Sequence, residues 1–163
     1  MIVIALGANL PSRAGAPRET LKAALAELSQ NGIHTVAASS FYATKSWPNP
    51  CEPPFINAVA QIETTLSPPE LLHLLHRTES DFGRKRTVKN APRTLDLDLL
   101  DYDGRIEAGP PKLPHPRLSE RAFVLIPLAD IAPGWRHPET GQTVSELIAA
   151  LAAEAREIER LTD

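Results

Sequence analysis

Sixteen prolines punctuate the 163 residues, and their spacing limits where regular structure can form. Proline fixes φ and has no amide hydrogen, so it is excluded from helix interiors and central strands. Residues 43–54 hold four prolines and are read as a loop; connections of about twelve residues in compact domains are usually functional or disordered. Residues 109–116 form a second proline-rich loop. Pro17 and Pro68-Pro69 stand instead where the first turn of a helix tolerates proline.

The segments between these breaks alternate in period. Residues 1–7 are a short apolar run ended by Gly7, which predicts a buried strand. After Pro17, the residues Leu21, Ala24, Leu25 and Leu28 recur at helical spacing, and Asn31-Gly32 ends that helix. Residues 33–42 and 55–66 are read as the second and third strands. Ser67 and Glu70 form a capping box opening a second helix, whose stripe is Leu71, Leu72, Leu74 and Leu75 and whose end is Gly83. Residues 84–92 read as a second functional loop, and 93–101 as a fourth strand. Asp103-Gly104 is a turn into a short extension. Short helical segments are expected over 119–130, and a final helix over 144–161 from Val144, Leu147, Ile148, Leu151 and Ile158. This order predicts an α+β chain with a ferredoxin-like βαββαβ core and additional C-terminal helices, a single domain over 1–163. One sheet face is expected to carry the helices and the other to stay free for loops and ligands.

Composition narrows the function classes. A single cysteine, Cys51, excludes an internal disulfide and a Cys-rich zinc module. The start of the chain lacks a basic segment before its short apolar run and is not expected to be a signal peptide, and no stretch is long enough to span a membrane. A net charge of −3 gives no global attraction to nucleic acid. Gly7-Ala8-Asn9 lacks the spacing of a Walker or Rossmann glycine loop.

Leu95-Asp96-Leu97-Asp98-Leu99-Leu100 carries the strongest chemical signal. In a strand the leucines face one side and the two carboxylates the other, roughly 6.6 Å apart along the chain. At that distance they repel by on the order of 3 kcal/mol, a cost that a hard divalent cation or an arginine removes. Oxygen ligands at this spacing suit Mg²⁺ held together with substrate phosphates. Arg84, Lys85, Arg86, Lys89 and Arg93 lead into the pair with no acid among residues 84–93. Guanidinium groups fork onto phosphate oxygens, so the two features together suit Mg²⁺-polyphosphate chemistry. A solvated acidic strand face, or a basic loop paired with Asp96 and Asp98 themselves, explains the same residues. Phe55 and Asn57 share a strand face, suiting a stacking wall and a polar reader for a flat heterocycle, or else a core aromatic and a strand-end amide. His115 lies between Pro114 and Pro116, which hold its backbone extended. His76 and Glu79 are three apart on the second helix and share a face.

Several motifs in one order resemble the 6-hydroxymethyl-7,8-dihydropterin pyrophosphokinase family. They are Ile4-Ala5-Leu6-Gly7-Ala8-Asn9-Leu10, Ser39-Ser40-Phe41-Tyr42-Ala43-Thr44, Phe55-Ile56-Asn57-Ala58-Val59 and Gly83-Arg84-Lys85-Arg86. Pro92-Arg93-Thr94-Leu95-Asp96-Leu97-Asp98 is the most specific, and Pro114-His115-Pro116-Arg117 through Arg121-Ala122-Phe123 completes the set. The resemblance spans residues 2 to about 133 and leaves the final helix outside. It implies an ATP-dependent pyrophosphokinase of folate biosynthesis, releasing AMP and using two Mg²⁺ ions on Asp96 and Asp98. It implies catalytic roles for Arg84, Arg93, Asp96 and Asp98. ATP contacts would come from His76, Glu79, Arg84, Arg86, Arg93, Leu99, His115 and Arg121, with Glu79 in a supporting acidic position. Pterin contacts would come from Thr44, Lys45, Phe55, Asn57, Asp96 and Phe123. The chain departs from the family pattern in Lys45, where many members have proline, and His76, where glutamine is common. Its loop over residues 87–92 is one residue short and lacks a tryptophan. It is expected to be a cytoplasmic monomer with small-molecule substrates and no nucleic-acid or membrane partner. A ferredoxin-like nucleic-acid module and a Mg²⁺-dependent nuclease or nucleotidyl transferase are the alternatives; the first would bind with steep salt dependence.

Overall fold

The computed structural model describes residues 1–85, 88–153 and 157–162. Strand β1 (Ile2–Ala8) is central, pairing antiparallel with β4 (Phe55–Glu63) on one side and β5 (Asp96–Tyr102) on the other. The far edge of β4 is shared by β2 (His34–Ala38) along residues 60–63 and β3 (Tyr42–Thr44) along residues 55–57, both antiparallel. Strand β6 (Glu159–Arg160) extends the sheet beyond β3. Helix α1 (Pro17–Gln30) links β1 to β2, and α2 (Pro68–Asp81) links β4 to β5. A 3₁₀ turn (Leu118–Glu120), α3 (Ala122–Ile131) and α4 (Val144–Ala150) follow β5. No helix among the described residues is long and apolar enough to cross a membrane.

Period-two alternation in β1 divides the core. Ile2, Ile4, Leu6 and Ala8 pack with Leu21, Ala24 and Leu28 of α1 and with Leu71 and Leu75 of α2. Val3 faces the other way and packs with Val59, Leu100, Val124, Leu125, Leu128, Val144 and Leu147. Each leucine so buried contributes about 2 kcal/mol. Helices therefore lie on both faces of the sheet, which corrects the expectation of one free face. The physical reason is the apolar surface of α3, which has to be buried and covers Val3 and Val59. What stays open is the end of that face nearest Gly7, Asn57, Asp96 and Asp98.

Four further expectations are corrected. The strand expected over 33–42 is two strands, broken where Ser39 Oγ takes the Val59 amide at 3.0 Å in place of regular pairing, and β3 then runs into the segment read as loop. The fourth strand begins at Asp96 rather than residue 93, because the Arg93 carbonyl accepts the Asn9 and Leu10 amides, each at 3.1 Å. The final helix stops at Ala150, with Leu151 extended at φ −68° and ψ 145°. The chain returns as β6, whose amides and carbonyls satisfy the open edge of β3, and the Leu161 amide donates to the Phe41 carbonyl at 2.8 Å. The extension after Asp103-Gly104 is reduced to one bridge, between Glu107 and Leu113.

Leu71 on α2 is fully buried, whereas Val36 on β2 is 51% exposed. Leu71→Ala is expected to lower unfolding free energy by about 2–5 kcal/mol. Val36→Ala should fall within about 0.5 kcal/mol of the unmodified protein. Urea denaturation of both variants checks the difference.

Candidate functional site

The outer strand of the sheet supplies the acids. Leu95, Leu97 and Leu99 are buried, so alternation turns Asp96 and Asp98 together onto the opposite face. Their side chains remain 27% and 31% exposed, open enough to accept a ligand. Cations from three segments converge on them. Arg84, just past α2, donates through Nη1 to Asp96 Oδ1, and Arg93, just before β5, donates to Asp96 Oδ2 at 3.0 Å. Arg121, at the start of α3, donates to Asp98 Oδ2 at 3.0 Å. His115 is held by its amide donating to the Leu100 carbonyl at 2.9 Å. Its Nδ1 accepts the Arg117 amide at 3.1 Å, which puts the ring proton on Nε2, 3.9 Å from Asp98 Oδ2.

Burial and charge set the protonation states. Burial pushes His115 below its ordinary value of 6.5; Asp98 opposes that, and Arg121 and Arg117 reinforce it, so the ring is neutral at pH 7. Burial acts to lower Arg84, but Asp96 and Glu79 outweigh it and raise the guanidinium pKa. Glu79 on α2 is only 2% exposed, and its Oε1 accepts both Arg84 and the Leu97 amide, the latter at 2.8 Å. α2 thus holds Arg84 from behind while Asp96 meets it in front.

Beside the carboxylates lies a cavity of about 160 Å³ lined by Gly7, Thr44, Trp47, Phe55, Asn57, Asn90, Arg93, Asp96, Arg117, Arg121 and Phe123. Asn57 Nδ2 donates to Thr44 Oγ1 at 3.0 Å, which fixes the amide plane. A Cβ at Gly7 would stand 3.2 Å from Asn57 Oδ1, so the small residue keeps this end of the cavity open. Arg93 lies 5.4 Å above the Phe55 ring and Arg121 5.5 Å above Phe123, so two of the guanidinium groups that neutralise the acids also cap the aromatic residues. Arg84, Lys85, Lys89 and Arg93 line an adjoining hollow of about 260 Å³.

The fold therefore brings Arg84 and Arg93 onto Asp96, and Arg121 and His115 beside Asp98, and gathers Thr44, Phe55, Asn57, Asp96 and Phe123 around one cavity. Other residues stand elsewhere. Lys45 is exposed and lines a neighbouring hollow of about 780 Å³. Glu79 is 2% exposed, and its Oε1 faces Arg84 and the Leu97 amide. The Leu99 side chain is 3% exposed in the core, so only its backbone is available to a ligand. His76 is exposed on α2. Arg86 lies outside the described residues. Sequence reasoning missed Trp47, Asn90 and Arg117 in the cavity wall; a tryptophan beside four prolines, 72% exposed, was the available signal.

Among the described residues no three His, Cys, Asp or Glu side chains cluster as a metal site. Asp96 and Asp98 alone form the acidic pair, an all-oxygen set that fits Mg²⁺ completed by phosphate oxygens and water and does not fit zinc.

The chain is similar to known proteins over most of its length. Residues 3–133 match the family model of 7,8-dihydro-6-hydroxymethylpterin-pyrophosphokinase. A Synechocystis 2-amino-4-hydroxy-6-hydroxymethyldihydropteridine pyrophosphokinase is 43% identical over 148 residues, covering 90% of this chain and 73% of its own. The Pseudomonas aeruginosa protein of the same name is 40% identical over 162 residues, covering 98% of this chain and 96% of its own. A crystal structure of wild-type Plasmodium falciparum HPPK-DHPS shares the fold with a TM-score of 0.63 at 14% identity; the match covers 90% of this chain and 40% of that longer one.

A proton titration of the His115 ring by NMR should give a midpoint below 6.5. Because the folded value is the depressed one, His115 withdraws stability as pH falls from 6.5 through the folded midpoint, and contributes no further loss below it. A midpoint above 6.5 would mean that Asp98, not burial, controls the ring. Glu79→Ala strips Arg84 of a buried partner and should cost about 3–5 kcal/mol in chemical denaturation.

Proposed function

The chain belongs to the 7,8-dihydro-6-hydroxymethylpterin-pyrophosphokinase family, whose members transfer pyrophosphate from ATP to hydroxymethyldihydropterin in folate biosynthesis, and on that premise we propose how its residues carry out the transfer. The family uses ATP, generally with Mg²⁺. Asp96 and Asp98 hold two Mg²⁺ ions with the triphosphate. Bound there, the ions offset phosphate charge and polarise the phosphoryl oxygens. The observation that carries this reading is the pairing of each aspartate with an arginine that also borders the aromatic cavity, Arg93 on Asp96 and Arg121 on Asp98.

The pterin ring lies in the cavity against Phe55 and Phe123. Asn57 reads its polar edge, with Thr44 fixing the amide, and Lys45 and Trp47 border the entrance. The hydroxymethyl oxygen attacks the β-phosphorus; the bond from that phosphorus to the bridging oxygen of the α-phosphate breaks, AMP leaves with that oxygen, and the hydroxyl proton is released. Arg84, backed by Glu79, stabilises charge on the transferring group, and Arg93 moves from Asp96 to phosphate. Arg86 joins these phosphate contacts. Arg121 and neutral His115 grip the nucleotide beside Asp98, Leu99 offers backbone groups on the outer strand, and His76 borders the nucleotide end. Positioning supplies the rest, since repulsion between a hydroxyl and a tetra-anion is overcome by fixed cations rather than covalent chemistry. The same reading takes the core as ferredoxin-like, the chain 1–163 as one domain, and the protein as a cytoplasmic monomer. Support for the topology is the order β5-β1-β4, with β2 and β3 sharing the far edge of β4.

With ATP and the reduced hydroxymethylpterin, one AMP should appear per pterin consumed; ADP as the product would exclude transfer of the intact β,γ-unit. Asp96→Asn and Asp98→Asn are each expected to lower kcat by several orders of magnitude with the melting temperature preserved. Unchanged turnover would remove that residue from the metal set. Phe55→Ala and Phe123→Ala should weaken pterin binding by about 1–3 kcal/mol, the worth of one aromatic stack, and leave ATP affinity nearly unaltered.

A further inference from the structure

The hollow of about 780 Å³ that Lys45 borders is lined by none of Asp96, Asp98, Arg84 and Arg93. It shares Thr44, Trp47, Arg121 and Phe123 with the cavity of about 160 Å³, so these side chains stand as a partition between the two spaces. Pockets that hold a small molecule are usually about 300–1,000 Å³. The hollow falls within that range and the cavity below it. Two members of the partition are aromatic, and Trp47, 72% exposed, offers a ring face on which a flat heterocycle can stack. Asn90, Arg93 and Asp96 line the cavity but not the hollow, and theirs is the side where the functional reading puts metal and triphosphate. Nucleotide on that side leaves the partition as the open approach.

The far wall of the hollow is the returning end of the chain, Glu157, Ile158 and Glu159. That wall is tied to the sheet. Glu159 pairs with Ala43 of β3. Arg160 donates to Ser40 Oγ through Nε at 3.0 Å and Nη2 at 2.8 Å, and Arg18 Nη1 donates to the Thr162 carbonyl at 3.1 Å. With the Leu161 amide on the Phe41 carbonyl, these bonds hold residues 159–162 along the sheet edge. The width of the hollow is therefore set by the side chains that stand at 157 and 158.

We propose that this hollow is the port through which the reduced pterin reaches its cavity, with Ile158 and Glu157 setting its width. The inference rests on the functional reading above. The ring stacks on Trp47 in the hollow and then passes Phe123 into the cavity. A port set apart from the acidic pair lets pterin exchange while nucleotide stays bound.

Stopped-flow measurement of reduced hydroxymethylpterin binding, read from the fluorescence of the pterin itself, tests this in the presence of saturating α,β-methylene-ATP and Mg²⁺. An obstruction in the path raises the barrier equally for entry and exit and leaves the end states alone. Ile158→Trp should therefore slow association and dissociation together, by about tenfold, with Kd unchanged within about twofold. Glu157→Trp, at an exposed position, should act in the same direction and keeps the test open if Ile158→Trp does not fold. Without the analogue the slowing should shrink, because the ring can then also approach past Asp96 and Arg93. Unaltered association rates in a folded Trp variant with the analogue bound overturn the port. So does weaker affinity with an unchanged association rate, which is the mark of damage to the cavity itself. An unmodified protein that binds no reduced pterin overturns the functional reading, and the port with it.

Discussion

Two like charges side by side on one strand face repel, and the protein meets that repulsion with guanidinium groups drawn from three separate segments. Arg84, Arg93 and Arg121 each hold a carboxylate oxygen of Asp96 or Asp98. The arrangement is balanced rather than closed: both acids keep roughly a third of their side-chain surface, and Arg84 and Arg93 face a hollow of their own. On the proposed reading, Asp96 and Asp98 would hold metal together with the triphosphate, and Arg93 and Arg121 would pass from carboxylate to phosphate, so charge would stay matched. Bare carboxylates would have paid a repulsion of on the order of 3 kcal/mol in the unliganded protein.

Exchange of this kind needs some cations that stay put. Arg84 has a second partner behind it, the buried Glu79, which also takes the Leu97 amide and so ties α2 to the acidic strand itself. Arg93 is fixed by its backbone to Asn9. Arg121 opens α3, whose apolar surface is buried against Val3 and Val59. The sheet core and the site are therefore linked physically: the packing that stabilises the domain also limits how far each charge can move.

Legibility in the sequence followed the range of the interactions involved. The alternation through residues 95–100 was readable because a strand's period is local, and the structure does turn those leucines inward and the aspartates outward. Both long helices were readable from their stripes, and the second also from the Ser67–Glu70 capping box. The break at Ser39 was not, since it depends on a hydroxyl replacing a ladder bond with Val59, twenty residues away. Ile158 kept helical spacing with Leu151, yet the open edge of β3 drew the following residues into a strand. Glu79 looked like a surface acid beside His76; only the packing of α2 on β5 shows it buried. Trp47 and Asn9 escaped notice for the same reason, as their importance lies in what distant segments bring next to them.

Manganese in place of magnesium, followed by electron paramagnetic resonance, measures most directly whether the acidic pair holds metal with nucleotide. With an unreactive ATP analogue present, two manganese ions per chain should become bound, few without the analogue, and none when both aspartates are replaced by asparagine. Retention of both ions by that doubly substituted protein would contradict the account.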